Sequence, residues 1–232
     1  MTDVELKLCR DCGGKKRWYP TSIAQLDTFL SPHIKQTSAV KHGYAIRKNI
    51  CYGIQYLQYL DETLQQLRLS EVLITMTYKQ FVVTGIAIIE GVLYNQLKSK
   101  DLLRTNEWEV VKESESPEIA LAGATIRTET RVLRKREVPV EEETSFDRLL
   151  RIAERKKVLG ADSTFYAKAH HLRKLRNKVH LFVTAHELDS DWNAFGVKEF
   201  KLMKHALFIL LTGPPFFPND TQREVFAFLA DN

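Results

Sequence analysis

The residues best equipped for chemistry lie together in the stretch His170-His171-Leu172-Arg173-Lys174-Leu175-Arg176-Asn177-Lys178-Val179-His180. Its spacing predicts a helix with three faces. Leu172, Leu175, Val179 and Val183 recur every three or four residues and form an anchoring face. Arg173, Arg176, Asn177 and His180 share a neighbouring face, because separations of three, four and seven residues return to one side of a helix. Lys174 and Lys178 occupy a third. Two guanidiniums bind a phosphate bidentately and stabilise charge that gathers on it. An imidazole gives or takes a proton near neutral pH. Asn177 can orient the imidazole or bond a phosphate oxygen. These parts suffice for metal-free RNA cleavage: a base activates the ribose 2′-OH, that oxygen attacks the adjacent phosphate, and a cyclic phosphate is left. A soluble amphipathic helix carries the same residue types for no chemical purpose, and a histidine near a helix C-terminus interacts well with the helix dipole. Both readings stand on periodicity alone.

The elements that would hold this helix are mostly helical. Thr21 or Ser22 caps a short helix through Ile23, Leu26, Phe29 and Leu30, which Ser31-Pro32 ends. A longer helix runs from about Gly43 to Leu67, on Ile46, Ile50, Ile54, Leu57, Leu60 and Leu64. Tyr52, Tyr56 and Tyr59 lie beside that stripe as rim packing or as a stacking platform for bases. After Ser70, Leu73 to Lys98 forms a second long helix. Its centre, Phe81 to Ile89, is apolar nearly all round and belongs in the middle of a bundle. Glu90 follows directly, either facing solvent or buried and paired, because an unpaired buried charge is too costly.

From about 101 to 144 helical periodicity is lost. Glu107 to Val111 and Ile126 to Val132 alternate, which predicts a β-hairpin or small antiparallel sheet inserted between helices. Ser114-Glu115-Ser116-Pro117 and Leu121-Ala122-Gly123 mark its turns. Arg131, Arg134, Lys135 and Arg136 put a basic strip on this insertion, suited to RNA or to blunting a strand edge with charge. Helices resume over Ser145 to Leu159, ended by Gly160. Asp162 or Ser163 then caps the motif helix, which ends near His180 or a turn later. His186 to Ala194 reads as a polar connection, Val197 to Leu211 as the last core helix, and Asn219 or Asp220 as the cap of a terminal helix ending near Ala230.

Composition sets wide limits. Of 232 residues, 34 are Lys or Arg and 29 are Asp or Glu, a formal charge of +5. That is a mild bias toward polyanions. Residues 1–20 form a polar arm in which Cys9 and Cys12 look like half of a zinc knuckle, but structural zinc takes four ligands and no second Cys pair exists. The alternatives are a solvated arm or small turn. The start of the chain has no signal-peptide pattern, the apolar run at Phe81 to Ile89 falls short of the ~20 residues of a membrane span, and the three cysteines form no disulfide framework. The expectation is a soluble cytoplasmic protein with no cofactor, no metal and no membrane.

Leu172 to His180 resembles the signature helix of HEPN domains (higher eukaryotes and prokaryotes nucleotide-binding). Those domains carry an Arg, four to six residues, then a His, often with Asn directly after an Arg. Six residues separate Arg173 from His180. Arg176-Asn177 reproduces the Arg-Asn pair, with three residues between Arg176 and His180, one fewer than is usual. Either arginine can therefore correspond to the family's catalytic one. Ile86 to Leu93 is similar to the long apolar helix ending in Glu that many members have upstream, which gives Glu90 a supporting role. The resemblance covers about Gly43–Lys98 and Ser145–Leu211. It implies an antiparallel helical bundle that dimerises with its motif helices facing, so that two copies of His180 and the arginines line one cleft. It also implies a metal-independent ribonuclease of toxin–antitoxin, abortive-infection or antiviral systems, or a member that has lost activity and binds RNA, a nucleotide or a protein such as an antitoxin. Lys174, Lys178 and the strip at 131–136 would then contact RNA.

Overall fold

The computed structural model describes residues 18–160, 163–179 and 190–230. The protein is mainly helical with a small antiparallel β component, and it divides into two compact units. The helical unit comprises the chain up to Asp101 and from Ser145 onward; the other unit is Leu102–Thr144.

In the helical unit, α1 (Ile23–Leu30) starts at Ser22, whose hydroxyl accepts from the Gln25 N–H while the Gln25 side chain accepts from the Ser22 N–H. This reciprocal cap satisfies two donors that a helix start otherwise leaves open. Helix α2 (Gly43–Gln66) and helix α3 (Glu71–Ser99) follow. They run antiparallel: Gly53 faces Thr84 and Ile88, whereas Gly91 faces Ile46 and Ile50. Helix α4 (Phe146–Arg155) is capped by Ser145. It ends earlier than periodicity suggests, because Lys157 (φ 50°) and Gly160 (φ 83°) turn the chain in the left-handed region. Helix α5 (Ser163–Arg176) carries the motif, and its cap at Asp162 lies outside the described residues. Short α6 (Asp191–Ala194) occupies part of the expected polar connection, since Asp191 accepts from the Lys79 ammonium at 2.8 Å. Helix α7 (Val197–Thr212) and short α8 (Asp220–Glu224) complete the order. Asn219 caps α8, and the terminal segment finishes in a 3-10 turn at Ala227–Leu229 rather than one continuous helix.

Helix α3 packs against α2, α4, α5 and α7. Gly85 lets α3 and α7 approach closely: a Cβ there would lie 2.4 Å from Met203 Sδ, so the Met203 side chain would have to shift. Phe81, Val82, Ile86, Ile88 and Ile89 are buried, but Ala87 is exposed, so the apolar run is not covered all round. Two ion pairs tie helices together beneath the surface: Lys204 Nζ to Asp61 Oδ1 at 2.9 Å, and the Lys79–Asp191 pair. By length and composition α3 could cross a membrane, with a mean hydropathy of 1.6 over 18 residues. The short run at 81–89 alone did not suggest this.

Cys51 on α2 is fully buried, and burial pushes its thiol up to about 11. Unfolding returns it toward the ordinary value of 9.0, so the fold loses stability as pH rises from 9 through 11. Alkylation of Cys51 at pH 8 is expected to run at least about 100-fold slower in the native chain than in urea, the ratio of thiolate fractions, with burial of the sulfur slowing it further. Peptide mass spectrometry after iodoacetamide would check this.

The second unit is a hairpin. Strand β1 (Thr105–Glu115) pairs antiparallel with β4 (Glu129–Glu141), and β2 (Ile119–Leu121) with β3 (Ala124–Ile126). The strands are longer than the alternation indicated: Ser114 and Glu115 extend β1 rather than turn, and Ile126 belongs to β3. Ala122 and Gly123, both at positive φ, make the reversal between β2 and β3.

Candidate nucleic-acid interface at the end of α5

Helix α5 is held from below by Phe165, Tyr166, Ala169 and Leu172, all buried. The Tyr166 hydroxyl donates to the Ala153 carbonyl at 3.0 Å, and burial raises its phenol above the ordinary value. This sets α5 antiparallel to α4. Leu172 anchors the helix as expected, and the buried face continues from it toward the helix start through Ala169, Tyr166 and Phe165. Leu175 is only half-buried. Val183 and the Val179 side chain lie outside the described residues.

The α-helix ends at Arg176, and Asn177–Val179 form a 3-10 turn. A tighter turn advances about 120° per residue instead of 100°, so Asn177 departs by only about 20° from its α-helical position beside Arg176, and the departure grows along the turn. His180 lies outside the described residues. Asn177 is exposed, directly beyond Arg176.

The two arginines turn to different neighbours. Arg176 Nη2 lies 3.0 Å from Glu90 Oε2 and 3.2 Å from Glu90 Oε1 on α3. Glu90 is thus paired and largely covered, while half of the Arg176 side chain remains exposed. Arg173 Nη1 lies 2.6 Å from Asp147 Oδ1 at the start of α4, and Asp147 also pairs with Arg151 at 3.0 Å. The Arg173 Nε is buried without a hydrogen-bond partner. Arg173 and Arg176 are three residues apart on the helix, and carboxylates on two other helices draw their guanidiniums apart.

Between α4 and α5 lies an open groove of about 580 Å³, lined by Asp147, Arg151, Glu154, His170, Arg173 and Lys174. His170 Nε2 lies 3.0 Å from Glu154 Oε2. This His–Glu pair was not singled out from the sequence. Its signal was available: Asp147, Arg151 and Glu154 fall at i, i+4 and i+7, one polar face of α4, and His170 and Lys174 are one turn apart on α5. Lys174 is exposed and Lys178 half-buried.

The expected basic strip on the hairpin is not an unmatched cationic surface. Arg131 pairs with Glu113 at 3.2 Å, Arg136 with Glu109 at 3.2 Å and Lys135 with Glu107 at 3.6 Å, and Arg134 bonds the same Glu109. Arg134 and Arg136 hold the Glu109 carboxyl below its usual range. Residues 102–144 contain seven Lys or Arg against ten Glu, so the insertion is net acidic within a chain of +5. The alternating charges cross-link the strands, as opposite charges do across an antiparallel ladder.

Cys9 and Cys12 lie outside the described residues. Among the described residues no group of three or more His, Cys, Asp or Glu gathers in metal-binding geometry. Neither family models, nor curated proteins, nor solved structures give a match to this chain, so its geometry and its short motif carry the functional reading.

Proposed function

We propose that this protein is a metal-independent, HEPN-like endoribonuclease of the cytoplasm, working as a homodimer in a toxin–antitoxin or abortive-infection setting, with His180, Arg176 and Asn177 as its reacting groups. The observation that carries the reading is the Arg176–Glu90 pair. It fixes a half-exposed guanidinium beside exposed Asn177, where the helix tightens just before His180. Of the two arginines, Arg176 is the one that contacts phosphate. Arg173, bound to Asp147, positions α5 against α4. In the reaction the imidazole of one copy takes the proton from the ribose 2′-OH. The freed oxygen attacks phosphorus, the bond to the 5′ oxygen breaks, and the leaving oxygen receives a proton from the imidazole of the other copy. Arg176 stabilises charge on the non-bridging oxygens, and Asn177 orders the groups.

A second reading is a non-catalytic RNA- or protein-binding module, such as a partner of an antitoxin. It draws on the hairpin, where Arg131, Arg134, Lys135 and Arg136 already have carboxylate partners. The two readings part on one assay, cleavage of end-labelled RNA with and without chelator. Under the first, cleavage continues in chelator. Arg176→Ala lowers the rate about 100-fold, the effect of losing one charge-stabilising donor, with helical circular dichroism kept and only a small fall in melting temperature from the unpaired Glu90. Arg173→Ala chiefly lowers the melting temperature. RNA that binds but stays intact would leave the module reading standing, and cleavage that needs added divalent metal would overturn the ribonuclease.

A further inference from the structure

Helices α2 and α3 share an outward face that bears no charge. They approach closely at small residues; a Cβ on Gly53 would lie 3.0 Å from Ile88 Cγ1. On α2, Asn49, Tyr52, Tyr56 and Tyr59 follow at intervals of three and four, and all are exposed. The tyrosines are 54%, 41% and 42% exposed, and the Tyr56 and Tyr59 rings stack at 6.0 Å. On α3, Leu73, Met76, Gln80 and Ala87 recur at helical spacing and are exposed as well. The most apolar window of α3 has only 39% of its residues buried. The nearby charges are engaged elsewhere: Lys79 is buried on Asp191, Lys48 binds Asp27, and Glu90 binds Arg176.

We infer that this face is the contact through which two copies of the chain pair, α2 and α3 of one packing on α2 and α3 of the other as a four-helix bundle. Three features bear on the choice of a second copy. A two-fold contact sets like against like, and a face with no charge of either sign meets itself without repulsion. Its extent is that of a small contact: from Leu73 to Ala87 it runs about 21 Å along α3, and two helices with axes about 9 Å apart make it about 20 Å wide, a flat footprint of about 420 Å² per copy at the low end for specific interfaces. Its stacked tyrosines are rigid anchors of the kind that dominate such contacts. A membrane fits less well, because the opposite side of α3 is committed to α7 through Phe81, Gly85, Phe200 and Met203. Glu90 lies one turn beyond Ala87, at the margin of the face, and holds Arg176 there.

The test is sedimentation equilibrium of the full chain, with the variants Tyr52→Glu/Tyr56→Glu on α2 and Leu73→Lys/Met76→Lys on α3. The wild type is expected at twice 26.8 kDa. Each variant is expected to raise the dimer dissociation constant about 30-fold or more while keeping its helical circular dichroism. A variant that loses its helical signal is set aside, and the one on the other helix decides. A monomeric wild type overturns the inference, as does a folded variant that stays dimeric. Flotation of the wild type with phosphatidylcholine vesicles, abolished by the same substitutions, overturns it in favour of a lipid surface. The inference rests on the homodimer proposed above: a monomeric wild type would overturn both, whereas folded variants that all stay dimeric overturn this face alone and leave the ribonuclease reading standing.

Discussion

His180→Ala is expected to lower RNA cleavage by about 10² to 10⁴-fold, the range supplied by a positioned acid or base. RNA affinity should be nearly unchanged, because phosphate contacts by the Arg and Lys side chains dominate binding. Cleavage by the wild type is followed in chelator, with the variant matched for helical circular dichroism and melting temperature. Equal rates for the two proteins would remove His180 from the chemistry. The contrast with Arg176→Ala is informative. Loss of a guanidinium weakens binding and its salt dependence together with the rate, whereas loss of the imidazole acts on the rate alone.

Asp61→Ala is expected to destabilise the protein by about 3–5 kcal/mol, the cost of removing one partner from a buried ion pair. The Asp61 and Lys204 side chains are 6% and 14% exposed, so screening by water is small. Asp61 also accepts from Gln65 Nε2 at 2.6 Å, so the substitution leaves two donors without their carboxylate. Removing both charges together, as Asp61→Leu/Lys204→Met, is expected to recover much of the loss, because no unpaired ion then remains in the interior. Urea unfolding of the single and double variants would decide between a costly orphaned charge and a strongly attractive pair. A double variant no more stable than Asp61→Ala would favour the second.

The helices were legible because apolar residues recur in them at one period and their ends carry chemical marks. Ser22, Ser70, Ser145 and Asn219 stand at the helix starts, and Gly160 closes the turn after α4. What periodicity could not supply was the partner of each polar side chain. The sequence reading left Glu90 as either solvent-facing or paired, and only the packing of α5 on α3 brings it to Arg176. Arg173 and Arg176 looked equivalent at three-residue spacing and differ because Asp147 lies on another helix, 26 positions upstream of Arg173. The basic strip on β4 was visible, but the glutamates that match it lie on β1, and pairing across a hairpin depends on register. The bulges between Asn106 and Trp108 and between Val110 and Lys112 set that register, and no local pattern announces them. The change from α-helix to 3-10 turn at Asn177 was equally hidden, since the residue types continue unbroken through it.

The pairing of Thr105 with Glu141 brings the two ends of the hairpin together. Helix α4 must find α3 across an intervening segment of roughly 40 residues, and an open loop of that length carries an entropic penalty that grows with the logarithm of its length. Once β1 and β4 zip, the effective connection shrinks to a few residues, which recovers on the order of 2 kcal/mol of that penalty. The insertion acts on the bundle as a clip on a long tether. A short linker in its place should leave the docking of α4 thermodynamically intact, whereas an unpaired chain of the same length should not.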